Sequence, residues 1–235
     1  MSPRTSPPPP APSALLFDLD GTLVDSRHDI AEACNATRIA QGRAPLTVED
    51  IVPMIGDGAR ALVARAFDAA EDGPIVDAAL ATFRQLYLAR PCVHTTVLPG
   101  AREVLDAASK AGLPCAIVTN KPRDVSVQLL DALGITRYFG AIWGGGDGPL
   151  KPSPAGVLDA AARLGVAATS AWMIGDGPQD IGAGKAAGCF TVGVPGIAER
   201  EQLARSGPDM LCDSLAEVSA ALRSALASDV RARRA

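Results

Sequence analysis

Ala14-Leu15-Leu16-Phe17-Asp18-Leu19-Asp20-Gly21-Thr22 is the stretch on which the reading of the fold turns. Four consecutive apolar residues predict a strand buried on both faces, and the strand delivers two carboxylates at its end. Strand side chains alternate, so Asp18 and Asp20 share one face while Leu19 points to the other. Gly21 then lets the backbone turn tightly. Two carboxylates on one face repel unless a cation or a proton lies between them. That arrangement costs stability, so it points to chemistry.

Three further segments carry complementary groups. Pro114-Cys115-Ala116-Ile117-Val118 is a second apolar strand and ends in Thr119-Asn120, a hydroxyl and an amide. Lys151 follows the glycine-rich run Gly144–Leu150 and precedes Pro152-Ser153-Pro154, where a helix begins. Ala171-Trp172-Met173-Ile174 is a further strand, ending in Gly175-Asp176, with Asp180 beyond it. In open parallel sheets, ligands bind outside the carboxyl ends of the strands. The four clusters are therefore expected in one crevice, which would hold acidic metal ligands, small hydrogen-bond donors and a lysine.

Asp18-Leu19-Asp20-Gly21-Thr22-Leu23-Val24-Asp25-Ser26 resembles the first motif of the haloacid dehalogenase superfamily of phosphatases. Thr119-Asn120, Lys151 and Gly175-Asp176 through Asp180 resemble its second, third and fourth motifs, in the right order, and the likeness runs from about 15 to 218. Val118-Thr119-Asn120-Lys121-Pro122 and Lys151-Pro152-Ser153-Pro154 look most like phosphoglycolate phosphatases. One departure is the loop before Lys151, which is slightly shorter than the usual family loop. The resemblance implies an Mg²⁺-dependent phosphomonoesterase acting through an aspartyl-phosphate on a small phosphorylated metabolite, with 2-phosphoglycolate first. N-acetylmuramate 6-phosphate phosphatase, pyrophosphatase and sugar phosphomutase activities are the neighbouring alternatives. A phospho-receiver domain is the non-enzyme alternative, although its acidic pair and acceptor aspartate lie on different strands. Cleavage of phosphonoacetaldehyde needs a lysine in the insert, and 26–94 contains none. The dehalogenases lack an acid at the place of Asp20.

From 100 onward, helical and strand patterns alternate, which builds a parallel sheet through right-handed crossovers with helices on both faces. The fold class is therefore α/β, a Rossmann-like doubly wound sheet. Between 26 and 94 only helical patterns occur, with Ile30, Cys34, Thr37 and Ile39, and then Leu62, Ala66 and Phe67, at amphipathic spacings. Ser26-x-x-Asp29 resembles a capping box at the start of this insert. The expected organisation is a proline-rich, disordered lead-in over 1–13, an α/β core over 14–25 and 95–228, a helical cap over 26–94 and a tail over 229–235. An all-helical insert after the first strand reads as a lid over the crevice, and by resemblance it is the cap of these phosphatases.

A chain of 235 residues with net charge −4 and no basic stripe is a poor partner for nucleic acid. No apolar stretch approaches a membrane span. Five cysteines without paired spacing read as buried thiols of a reducing, cytoplasmic compartment. The partner expected is a small-molecule phosphate ester, bound by a monomer or homodimer.

Within the crevice, Asp18 is the candidate nucleophile, since carboxylates attack phosphorus and split one slow displacement into two steps. Asp20 is the candidate general acid and then base, or else simply a second metal ligand. Its neighbour's negative charge favours a proton on it. Metal ligands are Asp18 and Asp176, and the resemblance adds the backbone carbonyl of Asp20. Asp180 is either an outer orienting group or a helix cap. Lys151 is expected to neutralise nucleophile and phosphate, and Thr119 and Asn120 to bind phosphate oxygens through hydroxyl and backbone groups. Asp25 and Ser26 read as helix-capping residues. In the insert, Gly56-Asp57-Gly58 is a turn or a loop dipping into the crevice, and Arg60 or Arg65 could pair with a substrate carboxylate or lie on a solvated face.

Overall fold

The computed structural model describes residues 9–232. Strand β1 (Ala14–Phe17) is fully buried, as its apolar run requires. It is followed by a tight loop and the two-residue strand β2 (Val24–Asp25). Four helices come next, α1 (Arg27–Ala40), α2 (Val48–Ile51), α3 (Ala59–Phe67) and α4 (Pro74–Ala89). The chain returns through β3 (Thr96–Val97), antiparallel to β2 with Val24 opposite Val97. Alternation then begins: α5 (Ala101–Lys110), β4 (Cys115–Pro122), α6 (Arg123–Ala132), β5 (Phe139–Gly145), α7 (Ala155–Arg163) and β6 (Ala171–Gly175). It ends with α8 (Pro178–Ala186), β7 (Phe190–Gly193), α9 (Arg200–Arg205), β8 (Met210–Leu211) and α10 (Leu215–Ala232).

The sheet has the order β5-β4-β1-β6-β7-β8, and every pairing is parallel. The expected doubly wound α/β core is therefore present. Alternation along β1 divides its side chains between two cores. Leu15, Phe17 and Leu19 pack with Leu105 of α5, Leu129 of α6 and Leu222 of α10. Ala14 and Leu16 pack on the opposite face with Val157 of α7 and Ala183 of α8. Each large side chain so buried contributes roughly 1.5–3 kcal/mol. Because β1 is central, with β4 on one side and β6 on the other, the carboxyl ends of all three strands open at the same edge.

The helices between β2 and β3 bury a core of their own around Ile30, Leu62, Phe67, Phe83 and Tyr87, which Val125 of α6 joins. Ile30, Cys34 and Thr37 are buried on α1, but Ile39 is 61% exposed. At about 100° per residue, Ile39 lies half a turn from Ile30, off the stripe that the other three define. Among the described residues, no helix is long and apolar enough to cross a membrane.

Three local readings are corrected. The first eight residues of the lead-in lie outside the described residues, but the rest is tied down: Ser13 donates its N–H to Ser170 O at 2.7 Å, and the Trp172 indole donates to Pro10 O at 2.9 Å. A buried indole N–H needs an acceptor, and this segment supplies it. The tail does not begin at 229, since α10 continues to Ala232, with 233–235 outside the described residues. The capping box does not form either. Ser26 makes no side-chain cap bond, and Asp29 instead accepts from the N–H groups of Val93, His94 and Thr95 and from the Thr95 hydroxyl. Asp29 thus fastens the start of the insert to its return segment.

Burial alone would raise the Asp29 pKa, but these four donors outweigh it and hold the carboxyl below its ordinary value. A depressed carboxylate stabilises the fold above the unfolded value of 3.8, and that stability is lost as pH falls through the lower folded value. Replacing Asp29 with Asn keeps the shape but strands donors, so it should cost on the order of 3 kcal/mol. Thermal melts should show the loss at neutral pH and its disappearance in acid. An unchanged melting temperature at neutral pH would contradict this role.

Candidate active site

Asp18 stands one residue beyond β1 and is 6% exposed. Its Oδ1 accepts from Lys151 Nζ at 2.7 Å, and among the described residues no donor engages its Oδ2. Lys151 also donates to Asp180 Oδ1 at 2.6 Å and to Val118 O at 2.6 Å. An ammonium has three protons, and all three are used. Lys151 therefore reaches the acidic cluster despite the short loop before it, and its work there is to hold Asp18 rather than to touch phosphate directly.

Asp180 caps a helix and also binds Lys151. One oxygen takes Lys151 and the other accepts the Gly177 N–H at 2.9 Å, capping α8. Asp176, at the end of β6, accepts from the Thr22 hydroxyl at 3.1 Å and from the Ile197 N–H at 2.6 Å. Carboxylate oxygens of Asp18, Asp176 and Asp180 lie within 4.8 Å of one another. The Asp20 side chain is not part of this cluster.

The electrostatics follow from that crowding. Burial, opposed by the Lys151 charge, pushes the Asp18 carboxyl up to about 6. Burial, reinforced by the charges of Asp18 and Asp180, pushes Asp176 up to about 8. Burial would lower the Lys151 pKa, but its two carboxylates raise it. When ionised, three carboxylates face one ammonium, which leaves two negative charges in excess. An all-oxygen donor set with that excess fits a hard divalent cation.

Asp20 has a separate environment. Lys121 Nζ donates to its two oxygens at 2.9 and 3.2 Å, and the Ser26 hydroxyl donates to Oδ1 at 2.5 Å. Ser26 is thus a partner of Asp20 rather than a capping side chain, while Asp25 pairs with the Arg27 guanidinium and also accepts the Arg27 N–H at the start of α1, at 3.3 Å. Lys121 also donates to the Tyr87 hydroxyl at 2.5 Å. Burial leads in pushing the Tyr87 phenol up to about 12.

These groups open into a crevice of about 760 Å³ between the sheet edge and the helical insert. The core side presents Asp18, Asp20, Thr119, Asn120, Lys121 and Asp176, and the insert presents Ile55, Gly56, Gly58, Leu62, Phe83 and Tyr87. A family model described as haloacid dehalogenase-like hydrolase matches residues 12–188, a span that contains all four motif segments and the whole insert. The chain belongs to the haloacid dehalogenase-like hydrolases.

Relatives place this hydrolase more closely. It is 39% identical over 211 residues to the phosphoglycolate phosphatase of Chromobacterium violaceum, covering 87% of this chain and 94% of that protein. A solved structure named as a predicted phosphoglycolate phosphatase, from Haemophilus somnus, is 29% identical with a TM-score of 0.79, covering 88% of this chain and 96% of that one. CbbY from Rhodobacter sphaeroides, solved in complex with phosphate, is 27% identical with a TM-score of 0.78, covering 90% and 99% of the two chains. Membership of a hydrolase family removes the receiver-domain alternative.

Thr119 and Asn120 do reach the crevice, but the Asn120 side chain is already occupied. Its amide donates to Gly56 O and Lys151 O at 3.0 and 3.1 Å, and its oxygen accepts the Lys151 N–H at 2.8 Å. It stitches the Gly56 loop of the insert to the lysine loop, leaving for a ligand backbone groups and the proton of the Thr119 hydroxyl, whose oxygen accepts the Lys121 N–H at 3.2 Å. The Gly56-Asp57-Gly58 alternative is resolved toward the loop that enters the crevice. Both glycines have positive φ, and a Cβ on Gly58 would come 2.7 Å from Leu150 Cδ1.

The arginines are not brought to the site. Arg60 binds Asp77 at 2.8 Å and Glu71 O at 2.5 Å, while Arg65 binds Asp57 and Met54 O, and neither lines the crevice. Replacing Arg60 with Ala should therefore leave KM for any phosphorylated acid within about twofold, an exposed ion pair being worth little. A KM rise of an order of magnitude would return Arg60 to the site.

Proposed function

We propose that this hydrolase is an Mg²⁺-dependent phosphomonoesterase that works through an aspartyl-phosphate on Asp18, with 2-phosphoglycolate as its substrate. The observation that carries the reading is Asp18 itself. It is buried, held through one oxygen by Lys151, without a donor at the other among the described residues, and set in a cluster two negative charges in excess. Curated relatives at 35–39% identity over most of the chain are named phosphoglycolate phosphatases, which supports the substrate.

Asp18 and Asp176 would hold the cation, with the Asp20 carbonyl added by the family resemblance. When bound, Mg²⁺ neutralises charge on the phosphoryl group and on the carboxylates around it. The chain's own residues supply the rest. Lys151 fixes the orientation of Asp18 so that Oδ2 faces an incoming phosphorus, and Asp180 fixes Lys151. Thr119 and nearby backbone N–H groups hold the oxygens that do not react. Asp18 Oδ2 attacks phosphorus as the ester oxygen departs, and Asp20 gives that oxygen a proton. Asp20 then takes a proton from the water that cleaves the acyl phosphate, restoring Asp18.

The helical insert covers the other side of the crevice and acts as the lid, excluding water from the acyl phosphate while it exists. The Gly56–Gly58 loop is one of its contacts with the core, through Asn120.

A kinetic comparison of 2-phosphoglycolate, N-acetylmuramate 6-phosphate, glucose 6-phosphate and pyrophosphate, with Mg²⁺ present, tests this. The highest kcat/KM should belong to 2-phosphoglycolate. Preference for a sugar phosphate would overturn the substrate and leave the phosphatase standing, and no phosphate release from any would overturn both.

A further inference from the structure

Lys121 is 2% exposed at its side chain, yet it lines the crevice and is the one positively charged residue to do so among the described residues. The arginines that could have read a substrate carboxylate are bound to Asp77 and Asp57 instead. A phosphorylated acid entering the crevice therefore has one cation to meet besides the metal. That cation is already shared between Asp20 and Tyr87. Tyr87, 2% exposed on α4, accepts from Lys121, and its own hydroxyl proton reaches no acceptor among the described residues. A buried hydroxyl proton without an acceptor marks a place where one is expected.

We propose that Lys121 and Tyr87 form the recognition site for a carboxylate on the leaving group, and that this carboxylate displaces Asp20 as the counter-ion of Lys121. The inference rests on the phosphomonoesterase reading and deepens it. The exchange keeps the charge of the buried pair balanced, because one carboxylate replaces another on the same ammonium. It also frees Asp20 from its two Lys121 contacts, with the Ser26 hydroxyl its remaining side-chain partner among the described residues, so that it can take up a proton from solvent and turn with it to the ester oxygen beside the bound carboxylate. An uncharged leaving group cannot make the exchange, and Asp20 then stays bound to Lys121. Selectivity for acids thus has its source in a lysine of the core strand β4 and a tyrosine of the insert.

The test compares kcat/KM for 2-phosphoglycolate with that for its amide, 2-phosphoglycolamide, which carries the same phosphate but no carboxylate. The wild type should prefer the acid by about ten- to a hundredfold, the usual scale for a charge-assisted bond. Lys121→Met should bring that ratio close to one. Tyr87→Phe, which keeps the ring that packs beside Phe83, should lower the ratio severalfold through KM for the acid. Tyr87→Phe and the wild-type ratio decide the matter if Lys121→Met does not fold. A wild-type ratio near one, or an undiminished ratio in either folded variant, would overturn the proposal while phosphate release continued. Absence of phosphate release from both esters would instead overturn the phosphomonoesterase reading.

Discussion

Replacing Asp18 with Asn should abolish turnover, by at least about 10⁴-fold, while the protein remains folded. An amide oxygen does not attack phosphorus, and the lost charge also loosens Lys151, whose remaining partners are Asp180 and the Val118 carbonyl. The folded state should not suffer in the absence of metal. Asp18 is raised to about 6 in the folded protein, so its ionised form is disfavoured there, and an uncharged isostere removes repulsion with Asp176 and Asp180. Loss of activity together with an equal or higher melting temperature is the expected pair of results. An Asp18→Asn protein that folds and turns over normally would rule out the covalent route.

The second large effect is the coupling of metal to protons. Asp176 is raised to about 8 and Asp18 to about 6, so without metal the cluster retains protons that an unfolded chain would have released. For carboxyl groups raised in this way, the folded state binds more protons than the unfolded one, and stability falls as pH rises from about 4 toward 8. Mg²⁺ must displace those protons, so its affinity should increase by up to about tenfold per pH unit between pH 6 and 8 where one proton leaves. The gain in melting temperature on adding Mg²⁺ should likewise be larger at pH 8 than at pH 6. Chelation should abolish activity, and Ca²⁺ should restore it poorly because its coordination is larger and looser. A stabilisation by Mg²⁺ that does not change with pH would contradict the buried acidic cluster as its site.

The sheet was legible because it is written in short, uninterrupted apolar runs. Ala14–Phe17, Cys115–Val118 and Ala171–Ile174 are buried central strands, and each ends in polar groups that a core strand would not otherwise tolerate. Convergence of Asp18, Thr119, Asn120, Lys151 and Asp176 then follows from parallel topology alone. What was not legible depends on partners distant in sequence. Asp29 fits a local capping pattern, but its donors lie beyond the insert, at Val93 to Thr95. Arg60 looks free until α4 brings Asp77 beside it. Lys121 sits next to Asn120 in plain view, and a lysine at the buried end of an apolar strand was a signal. Its role could not be read, because Tyr87 reaches it only once the insert has docked.

Acid-quenched wild-type protein, sampled during steady turnover of 2-phosphoglycolate with Mg²⁺ and digested for mass spectrometry, tests the central claim most directly. A single phosphoryl group on the peptide containing Asp18, lost on treatment with hydroxylamine and absent from the Asp18→Asn variant, is the predicted result. Rapid turnover with no phosphoryl group on that peptide, or with one on another residue, would contradict it.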